Sequence, residues 1–514
     1  MPEIKPLDLV RMIENGEIDI PELQREFVWS NQQVRDLAES IYNRYPIGLI
    51  TLYKVPKDMA ERPGTRYWVL DGQQRILSLA LIVNGSIKEV GRTRTTWVWF
   101  NPRNEDFRWT EPPRELSDEW INLSKVLKMS DEQLVKFTQD RPAEEREKIN
   151  LLWLRFRDYN ILVHEIREDL DLDQLGDIFV RTNFAGTRVR GAEVYSTMLA
   201  VAEPGIVKEL RNFADSLETT RGWKIDYGVM IRTFMAFLTD GKVKLASRVL
   251  EQANKLKESL QKQKGAIPEI MQKTKNGIES SIELLMDPSL LSIASPTSDF
   301  LPSQNVLVTI AYYLGKREAI SEKDKKGLLA WYVLASEFAR YSSAAETRLN
   351  EDLSVIQEGG DHASLISNIE EREGDLKDRI KQRITGGELS KLLLYVILKA
   401  NGAKNLSELS PQELTTTDVT IHHIFPQGIL SGSKWENLVE DVGNITLTSM
   451  GTNIRIRTIR PENYLPRMPL EVRKGHFIPE DRELWKVENF ERFLEERKKR
   501  LVEAVDNFWE SFIS

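Results

Sequence analysis

The chain has 514 residues, which is more than one hydrophobic core usually supports, so about two to four domains are expected. Hydrophobic residues make up 41% of the chain and charged residues 29%, which is typical of a globular protein and excludes an intrinsically disordered one. There is no cysteine. That excludes disulfides, thiolate zinc sites and cysteine nucleophiles, and it fits a reducing compartment.

The opening residues and the most apolar run predict where the protein works. MPEIKPLDLV lacks the basic-then-apolar pattern of a signal peptide. The apolar run 76–83 is far too short to cross a bilayer. We therefore expect a cytoplasmic protein without a membrane partner. The net charge of −8 argues against a protein coated with nucleic acid, so DNA contacts would have to be local.

The first 105 residues have a mixed α/β pattern. Apolar residues recur at helical spacing in LDLVRMIENGEI and QVRDLAESIYNRYP. LITLYKV, RYWVL and TTWVWFN are short runs of β-branched and aromatic residues, which predict strands. Between the last two, DGQQRILSLALIV predicts a turn that opens a buried helix.

The rest of the chain is mainly helical in pattern, so the fold class is predicted to be α+β and predominantly helical. Residues 106–285 are expected to form a helical extension of the first domain. Residues 286–304 are rich in Pro and Ser and lack periodicity, which predicts a linker. Residues 305–514 are expected to form a helical domain with a small β-containing core at about 415–466.

The segment DGQQR joins a predicted strand to a predicted helix. Such a join places backbone N–H groups at a helix N-terminus, where phosphate binds readily. Arg75 would add a cation for a triphosphate, while Asp71 would hold a metal or a water. An ordinary turn is the alternative, because many turns contain Asp-Gly. The chain has no GxxxxGK[ST] motif, so any nucleotide site here uses a different cradle.

Residues 24–29 combine polar and aromatic side chains, namely Gln24, Arg25, Phe27 and Trp29. Such a surface reads a modified base or a backbone by stacking and shape. The alternative is that Phe27 and Trp29 belong to the hydrophobic core.

His422 and His423 are adjacent in a β-prone run, in a chain that has five histidines. Side chains of neighbouring strand residues point to opposite faces, so one imidazole can hold a divalent cation while the other deprotonates a water. Asn444 and Asn453 follow at short spacings. The set predicts a one-metal nuclease. The alternative is a strand end that carries two histidines and no metal.

A basic stretch comes directly after these asparagines, with Arg455, Arg457, Arg460, Arg467, Arg473 and Lys474. Beside a metal site it predicts phosphate contacts, and by itself it is equally typical of a solvated surface. His476 follows it and is expected at the surface, within reach of phosphate. His164 is expected on a strand and His362 in a polar turn.

Both ends of the chain resemble one family, the GmrSD modification-dependent (type IV) restriction enzymes. The C-terminal segment is similar to their nuclease domain, which has an HNH or ββα-metal core, through His422, His423, Ile424, Phe425, Pro426, Gly443, Asn444, Asn453, Pro461, Tyr464 and Leu465. The N-terminal segment resembles their ParB-like domain through Pro21, Gln24, Arg25, Trp29, Pro46, Gly48, Asp71, Gly72, Gln73, Gln74 and Arg75.

The resemblance implies a role for each matched site residue. His423 would be the general base, His422 and Asn453 the metal ligands, and Asn444 the group that bonds the far nitrogen of His423. Family members often have Asp or Glu where His422 stands. An imidazole there favours softer transition metals, which leaves Mg, Mn and Ni open. At the other end, DGQQR implies nucleoside triphosphate binding and hydrolysis, with GTP, UTP, CTP and ATP all open. Asn183 and Gly186 would lie near the nucleotide.

The function implied is an anti-phage endonuclease that cleaves modified DNA and is regulated by the nucleotide. Glucosylated hydroxymethylcytosine, other base adducts and backbone phosphorothioate all remain candidate modifications, and a homodimer is left open. Two alternatives stand beside this hypothesis. One is a nucleotide-binding, DNA-binding regulator with a degenerate nuclease core, and the other is a nuclease directed at RNA.

Overall fold

The computed structural model describes most of the chain. The described residues are 3–19, 27, 29–55, 64–89, 92–166, 174, 178, 195, 196, 199, 203, 205–241, 259, 260, 262–294, 296–408 and 411–512. The chain divides into two compact units, Met1–Asn212 with Arg248–Lys257 and Phe213–Ser247 with Glu258–Ser514. The predicted fold class, α+β and predominantly helical, is confirmed.

The first unit contains a mixed sheet. Its strands are β1 (Glu3–Ile4), β2 (Ile18–Asp19), β3 (Ile50–Lys54), β4 (Tyr67–Asp71), β5 (Ser86–Glu89), β6 (Arg92–Thr95), β7 (Trp99–Asn101), β8 (Asp106–Arg108), β9 (Ile121–Asn122) and β10 (Ile161–Ile166). In the described residues, five of them form one sheet in the order β1-β10-β3-β4-β2, with β10 parallel to β3 and β3 antiparallel to β4. His164 lies on β10, as predicted.

The helices of the first unit form the core with this sheet. They are α1 (Pro6–Glu14), α2 (Asn31–Tyr42), α3 (Gln73–Asn84), α4 (Leu123–Leu127), α5 (Asp131–Thr138) and α6 (Ala143–Asp158), and α7 (Ile206–Arg221) contains the point of division between the units. Ser30 and Gln33 close a capping box at the start of α2. Helix α3 buries residues on all its sides, which makes it the central helix of this core.

The second unit is a helical bundle that carries a small β-hairpin. Its longer helices are α8 (Tyr227–Leu238), α9 (Ile267–Met286), α10 (Asn305–Gly315), α11 (Glu322–Glu337), α12 (Ala345–Gln357), α13 (His362–Glu373), α14 (Leu376–Gly386) and α15 (Lys391–Ala400). The apolar helices α10, α11 and α15 are buried along most of their length, which is the arrangement their hydrophobic sequences predict. His362 begins α13 and is buried, rather than lying in a polar turn.

The hairpin and its surrounding helices follow. They are β11 (Val419–His423), α16 (Gln427–Leu430), β12 (Ile445–Ser449), α17 (Met450–Ile456), α18 (Pro461–Tyr464), α19 (Leu470–Gly475) and α20 (Phe490–Phe512). Helix α20 contributes Phe490, Phe493 and Leu494 to a core that also holds Ile424 and Phe425. The residues that directly follow β11 are therefore anchored on the C-terminal helix.

Residues 286–304, predicted as a linker, lie within the second unit. Leu291, Ile293 and Phe300 are buried there, and the Ala294 N–H donates to Thr416 Oγ1 at 2.8 Å. The boundaries between the two units come earlier in the chain, the first of them after Asn212. Among the described residues, no helix is both long enough and apolar enough to cross a membrane.

A buried ion pair joins the turn after α11 to α12. Arg340 donates from Nε and Nη2 to the two carboxylate oxygens of Asp352, each at 2.7 Å, and both residues are buried. Tyr341 and Asn368 also donate to this carboxylate. Removing one partner of such a pair leaves an uncompensated buried charge.

Asp352→Ala is expected to lower the free energy of unfolding by about 3–5 kcal/mol, because Arg340 loses its buried counter-ion. Glu351→Ala is the matched control, since Glu351 reaches the same guanidinium at 3.3 Å from a partly exposed position. Its cost should stay below about 1 kcal/mol. Urea unfolding measures both, and equal losses would contradict the assignment.

Candidate active site

A strand–strand–helix segment presents the two histidines. Strands β11 and β12 pair antiparallel, with His422 opposite Thr446 and His423 opposite Ile445. Helix α17 follows β12 directly, and Ser449 caps it by accepting from the Thr452 N–H. Because side chains alternate along a strand, His422 faces the buried side and His423 the more open side of the hairpin. The predicted opposite orientation of the two imidazoles is what the structure shows.

His422 is fully enclosed and contacts Asn453 on α17. Its Nδ1 lies 2.8 Å from Asn453 Oδ1, and the Asn453 amide donates from Nδ2 to the Ile421 carbonyl at 3.0 Å. That second bond fixes the amide so that its oxygen faces the imidazole. On the other side of the ring, His422 Nε2 lies 3.3 Å from Tyr464 Oη, which itself donates to the Ile424 carbonyl at 3.1 Å.

Burial keeps the His422 imidazole neutral, since it lowers the pKa of His422 to about 4. The neutral ring is the form that binds a metal. Because the Tyr464 hydroxyl donates to Ile424, its oxygen can accept a hydrogen bond from His422 Nε2–H. In that tautomer the lone pair of Nδ1 points at the lone pairs of Asn453 Oδ1, an arrangement that a cation between them would stabilise.

The two side chains fit a divalent cation as a pair of neighbouring ligands. Nδ1 and Oδ1 lie 2.8 Å apart, so the two atoms would be able to hold one cation together once Nδ1 carries no proton. One nitrogen and one amide oxygen favour transition metals over magnesium. In the described part of the chain, no three His, Cys, Asp or Glu side chains group to hold a metal, so the remaining ligands would be water and substrate.

His423 lies on the other face of the hairpin and is bonded by Glu440. Its Nε2 lies 3.0 Å from Glu440 Oε1, and the Glu440 side chain is 71% exposed. Within the described residues, no protein group bonds to Nδ1 of His423. A carboxylate that holds one ring nitrogen leaves the other nitrogen available to accept a proton.

A cleft of about 340 Å³ adjoins this face. Ile421, Ile445 and Leu447 line it from the hairpin, and Glu440 lines its edge. Arg383 and Lys391 contribute two cations from the α14 end and the α15 start. Glu388 also lines the cleft, so the surface on the His423 face carries two cations and two carboxylates.

Asn444 was predicted to bond the far nitrogen of His423, but its side chain bonds to the backbone instead. It is fully buried, accepts at Oδ1 from the Phe425 N–H at 2.8 Å, and donates from Nδ2 to the Val439 carbonyl at 2.9 Å. Both ends of its amide are thus used by backbone groups that have no other partner in the hairpin ladder. The structure gives it no bond to His423, whose ring is held by Glu440 instead.

Arg497, on α20, holds the same loop from the opposite side. Its buried guanidinium donates to the carbonyls of Val442, Gly443, Ile445 and His476 at 2.7–3.0 Å. Burial lowers the pKa of Arg497 to about 9, which still leaves it charged at neutral pH. Sequence reasoning missed this residue, because it lies in a charged helical run of the kind that is usually exposed to solvent.

His476 is buried, which differs from its predicted surface position. Its Nε2 donates to the Lys404 carbonyl and its Nδ1 accepts from the Thr446 hydroxyl, each at 2.6 Å. Thr446 stands opposite His422 in the hairpin. Burial lowers the pKa of His476 to about 4, so this histidine is a neutral structural support and not a phosphate contact.

The predicted nucleotide site does form a strand–turn–helix join. Gly72 has φ +95° between β4 and α3, a conformation that suits glycine. The Arg75 guanidinium packs against Gly72 and Gly48, donates to the Leu49 carbonyl and lies 3.9 Å from Asp71. Side chains at either glycine would crowd this guanidinium. Gln73 and Gln74 are buried, and the Trp29 N–H donates to Gln74 Oε1 at 3.3 Å.

The predicted base-reading surface is only partly described. Phe27 belongs to the core, with the Arg94 guanidinium 4.4 Å above its ring, so it is enclosed and differs from a base-stacking residue. Trp29 is half-buried against the same core. Gln24, Arg25, Asn183 and Gly186 lie outside the described residues.

The predicted DNA-binding arginines Arg455, Arg457 and Arg460 are exposed on or just after α17. Two further residues that hold the site had not been assigned roles. Tyr464 belongs to the motif that carries the resemblance, so its position was signalled. Glu440 lies in an acidic run, where nothing distinguishes it from its neighbours.

The two buried histidines predict how stability depends on pH. Their pKa values near 4 lie below the ordinary 6.5, so the unfolded chain binds more protons in this range. Stability is therefore present above about pH 6.5 and is lost as the pH falls toward 4. For each histidine, acidification from about pH 7.5 to about pH 5 should lower the free energy of unfolding by about 2 kcal/mol.

His476→Gln is expected to reduce this pH dependence by the share of one histidine, as measured by urea unfolding at the two pH values. His164→Gln is the matched control, because His164 is exposed on β10. A variant that loses as much stability on acidification as the wild-type chain would contradict the assignment.

Comparisons with known proteins identify two domains in the chain. Residues 7–199 match the model for the GmrSD restriction endonuclease N-terminal domain. Residues 370–504 match the model for the GmrSD restriction endonuclease C-terminal domain. An uncharacterized protein of Methanocaldococcus jannaschii is 22% identical over an alignment that covers 97% of each chain. Both domain types thus occur here in one polypeptide, and the chain belongs to the GmrSD restriction endonuclease family.

Proposed function

We propose that this protein is a metal-dependent endonuclease that cleaves modified DNA in defence against phage, with nucleotide binding at its N-terminal unit regulating the cut. One observation carries the proposal. The hairpin and helix β11-β12-α17 present an accessible imidazole, His423, directly after an enclosed one, His422, whose Nδ1 lies 2.8 Å from Asn453 Oδ1. All three lie inside the segment that matches the family's C-terminal domain.

His423 is the general base in this proposal. Glu440 accepts from its Nε2–H and thereby orients the ring, as carboxylates do for catalytic histidines. Nδ1 then takes a proton from the water that attacks phosphorus, in line with the leaving oxygen. The phosphodiester P–O bond breaks, and the proton that the leaving oxygen needs comes from solvent.

His422 Nδ1 and Asn453 Oδ1 would hold the divalent cation. When bound, it stabilises negative charge on the phosphate and on the leaving oxygen. Tyr464 supports this role, because its oxygen can accept a hydrogen bond from His422 Nε2–H while its own hydroxyl donates to the Ile424 carbonyl. Asn444 and Arg497 fix the loop between the strands, so the ligand pair keeps its position without the cation.

Phosphate contacts come from the exposed arginines beside the site and from the cleft on the His423 face. Arg455, Arg457 and Arg460 provide local positive charge for phosphate, although the net charge of the chain is −8. At the other end, the N-terminus of α3 and the Arg75 guanidinium are the elements proposed to hold a nucleoside triphosphate.

His423→Ala is expected to lower the rate of DNA cleavage by about 10²- to 10⁴-fold while DNA binding persists, because the base is lost and the ligand pair remains. Glu440→Gln should lower the cleavage rate by a smaller factor, since the His423 ring keeps a hydrogen-bond acceptor and loses only the negative charge of the carboxylate. The assay uses DNAs that carry different modifications, with manganese, nickel or magnesium. His164→Ala is the histidine control and should cut like the wild type.

If the wild-type chain cuts none of these DNAs with any metal, the nuclease proposal fails and the regulator hypothesis gains. Cleavage of RNA in place of DNA would instead identify the third candidate. Equal cutting by wild type and His423→Ala would remove the histidine from the mechanism.

Arg75→Ala is expected to weaken nucleoside triphosphate binding by about 10- to 100-fold, the value of a charge-assisted hydrogen bond. Arg66→Ala is the matched control, because Arg66 is exposed in the same unit and pairs with Glu17. Binding of GTP, UTP, CTP and ATP is measured by calorimetry, and DNA cleavage is measured with and without each. Cleavage that is insensitive to nucleotide in the wild type would refute the regulatory part.

A further inference from the structure

Helix α17 has two faces with opposite character. Thr452 and Ile456 are buried, and Asn453 reaches His422 from the same helix. On the outer face, Met450 is 58% exposed and Ile454 is 65% exposed. They are four residues apart and so lie side by side on the helix surface.

Exposed arginines accompany these two apolar side chains in the chain. Arg455 lies on α17, Arg457 ends the helix and Arg460 follows it, and all three are exposed. Arg455 donates to Thr452 Oγ1, and Arg460 lies 3.7 Å from Glu462. Within the described residues, Arg457 forms no ion pair. Exposed apolar side chains in a segment with exposed cations match a surface that is anionic outside and apolar inside.

Duplex DNA has that surface. Its phosphates line the groove edges, and its stacked bases offer an apolar interior that Met, Ile, Leu and Phe side chains enter as wedges. An apolar protein partner would leave the guanidinium groups without counter-ions. The charge around the patch therefore favours DNA over a second protein.

We propose that Met450 and Ile454 form a wedge that enters the minor groove and unstacks a base step beside the phosphate to be cut. This inference rests on the proposed nuclease function. Asn453, one residue before Ile454, contacts His422 at 2.8 Å, so the wedge and the reacting residues are held in fixed register by one short helix. The kink that such insertion causes distorts the phosphate backbone beside the inserted side chains.

The test uses the full chain with His423→Ala, so that bound DNA is not cut. The probe is permanganate oxidation of unstacked thymines along a modified duplex, chosen as the one cut best by wild type or, if none is cut, the one bound most tightly. We expect enhanced thymine reactivity at one step. Met450→Ala with Ile454→Ala should abolish it and weaken binding about tenfold, because inserted apolar surface is lost.

Two matched variants separate the wedge from simple charge attraction. Leu470→Ala removes another exposed apolar side chain of the same unit and should change neither signal. Arg457→Ala should reduce the slope of binding affinity against salt by about one, whereas the double variant should leave that slope unchanged. Unfolding curves for each variant establish that the chain remains folded.

Reactivity that persists in the double variant would overturn the wedge. So would a double variant that binds DNA normally but loses self-association in sedimentation, since the patch would then contact a second copy of the chain. If the wild type unstacks DNA but cleaves none, the wedge stands and the nuclease proposal falls.

Discussion

The alternation of side chains along one short strand is the constraint on which this site depends. In β11 consecutive residues must face opposite sides, so an enclosed His422 requires an accessible His423. The pairing with β12 determines which of the two histidines is enclosed, because a shift of one residue in the register would exchange their faces. The two adjacent histidines thereby receive different environments. His422, the proposed metal ligand, is buried and neutral, whereas His423, the proposed base, is more open and is held by a carboxylate.

This register survives because buried polar groups hold the loop that joins the strands. Asn444 uses both ends of its amide on backbone groups, and Arg497 gathers four carbonyls from the far side. Unmade bonds of this kind are costly in a dry interior, so a loop that satisfies them has one stable position. The C-terminal helix α20 therefore stabilises the loop between the strands through Arg497.

In the first unit, two glycines determine where the Arg75 guanidinium lies. At Gly48 and Gly72 the missing side chains and the positive φ angles let the Arg75 guanidinium pack against the backbone at the start of α3. The cation and the helix N-terminus are thus presented together. In both units the proposed chemistry stands at the junction of a strand and a helix, where the backbone direction changes and polar groups lie free of the ladder.

Residue order alone was enough for the fold class, for most elements of the first unit, for the opposite faces of His422 and His423, and for the pairing of His422 with Asn453. These follow from local periodicity and from a motif whose members are close in the chain. It was not enough for Glu440, Arg497, the enclosed His476 or the true partners of Asn444. Each of those depends on which distant segment packs against the hairpin. The identity of an arginine or a histidine in the sequence does not show whether its side chain is buried or exposed. Burial and hydrogen-bond partners are properties of the packed chain, and only the tertiary structure decided them.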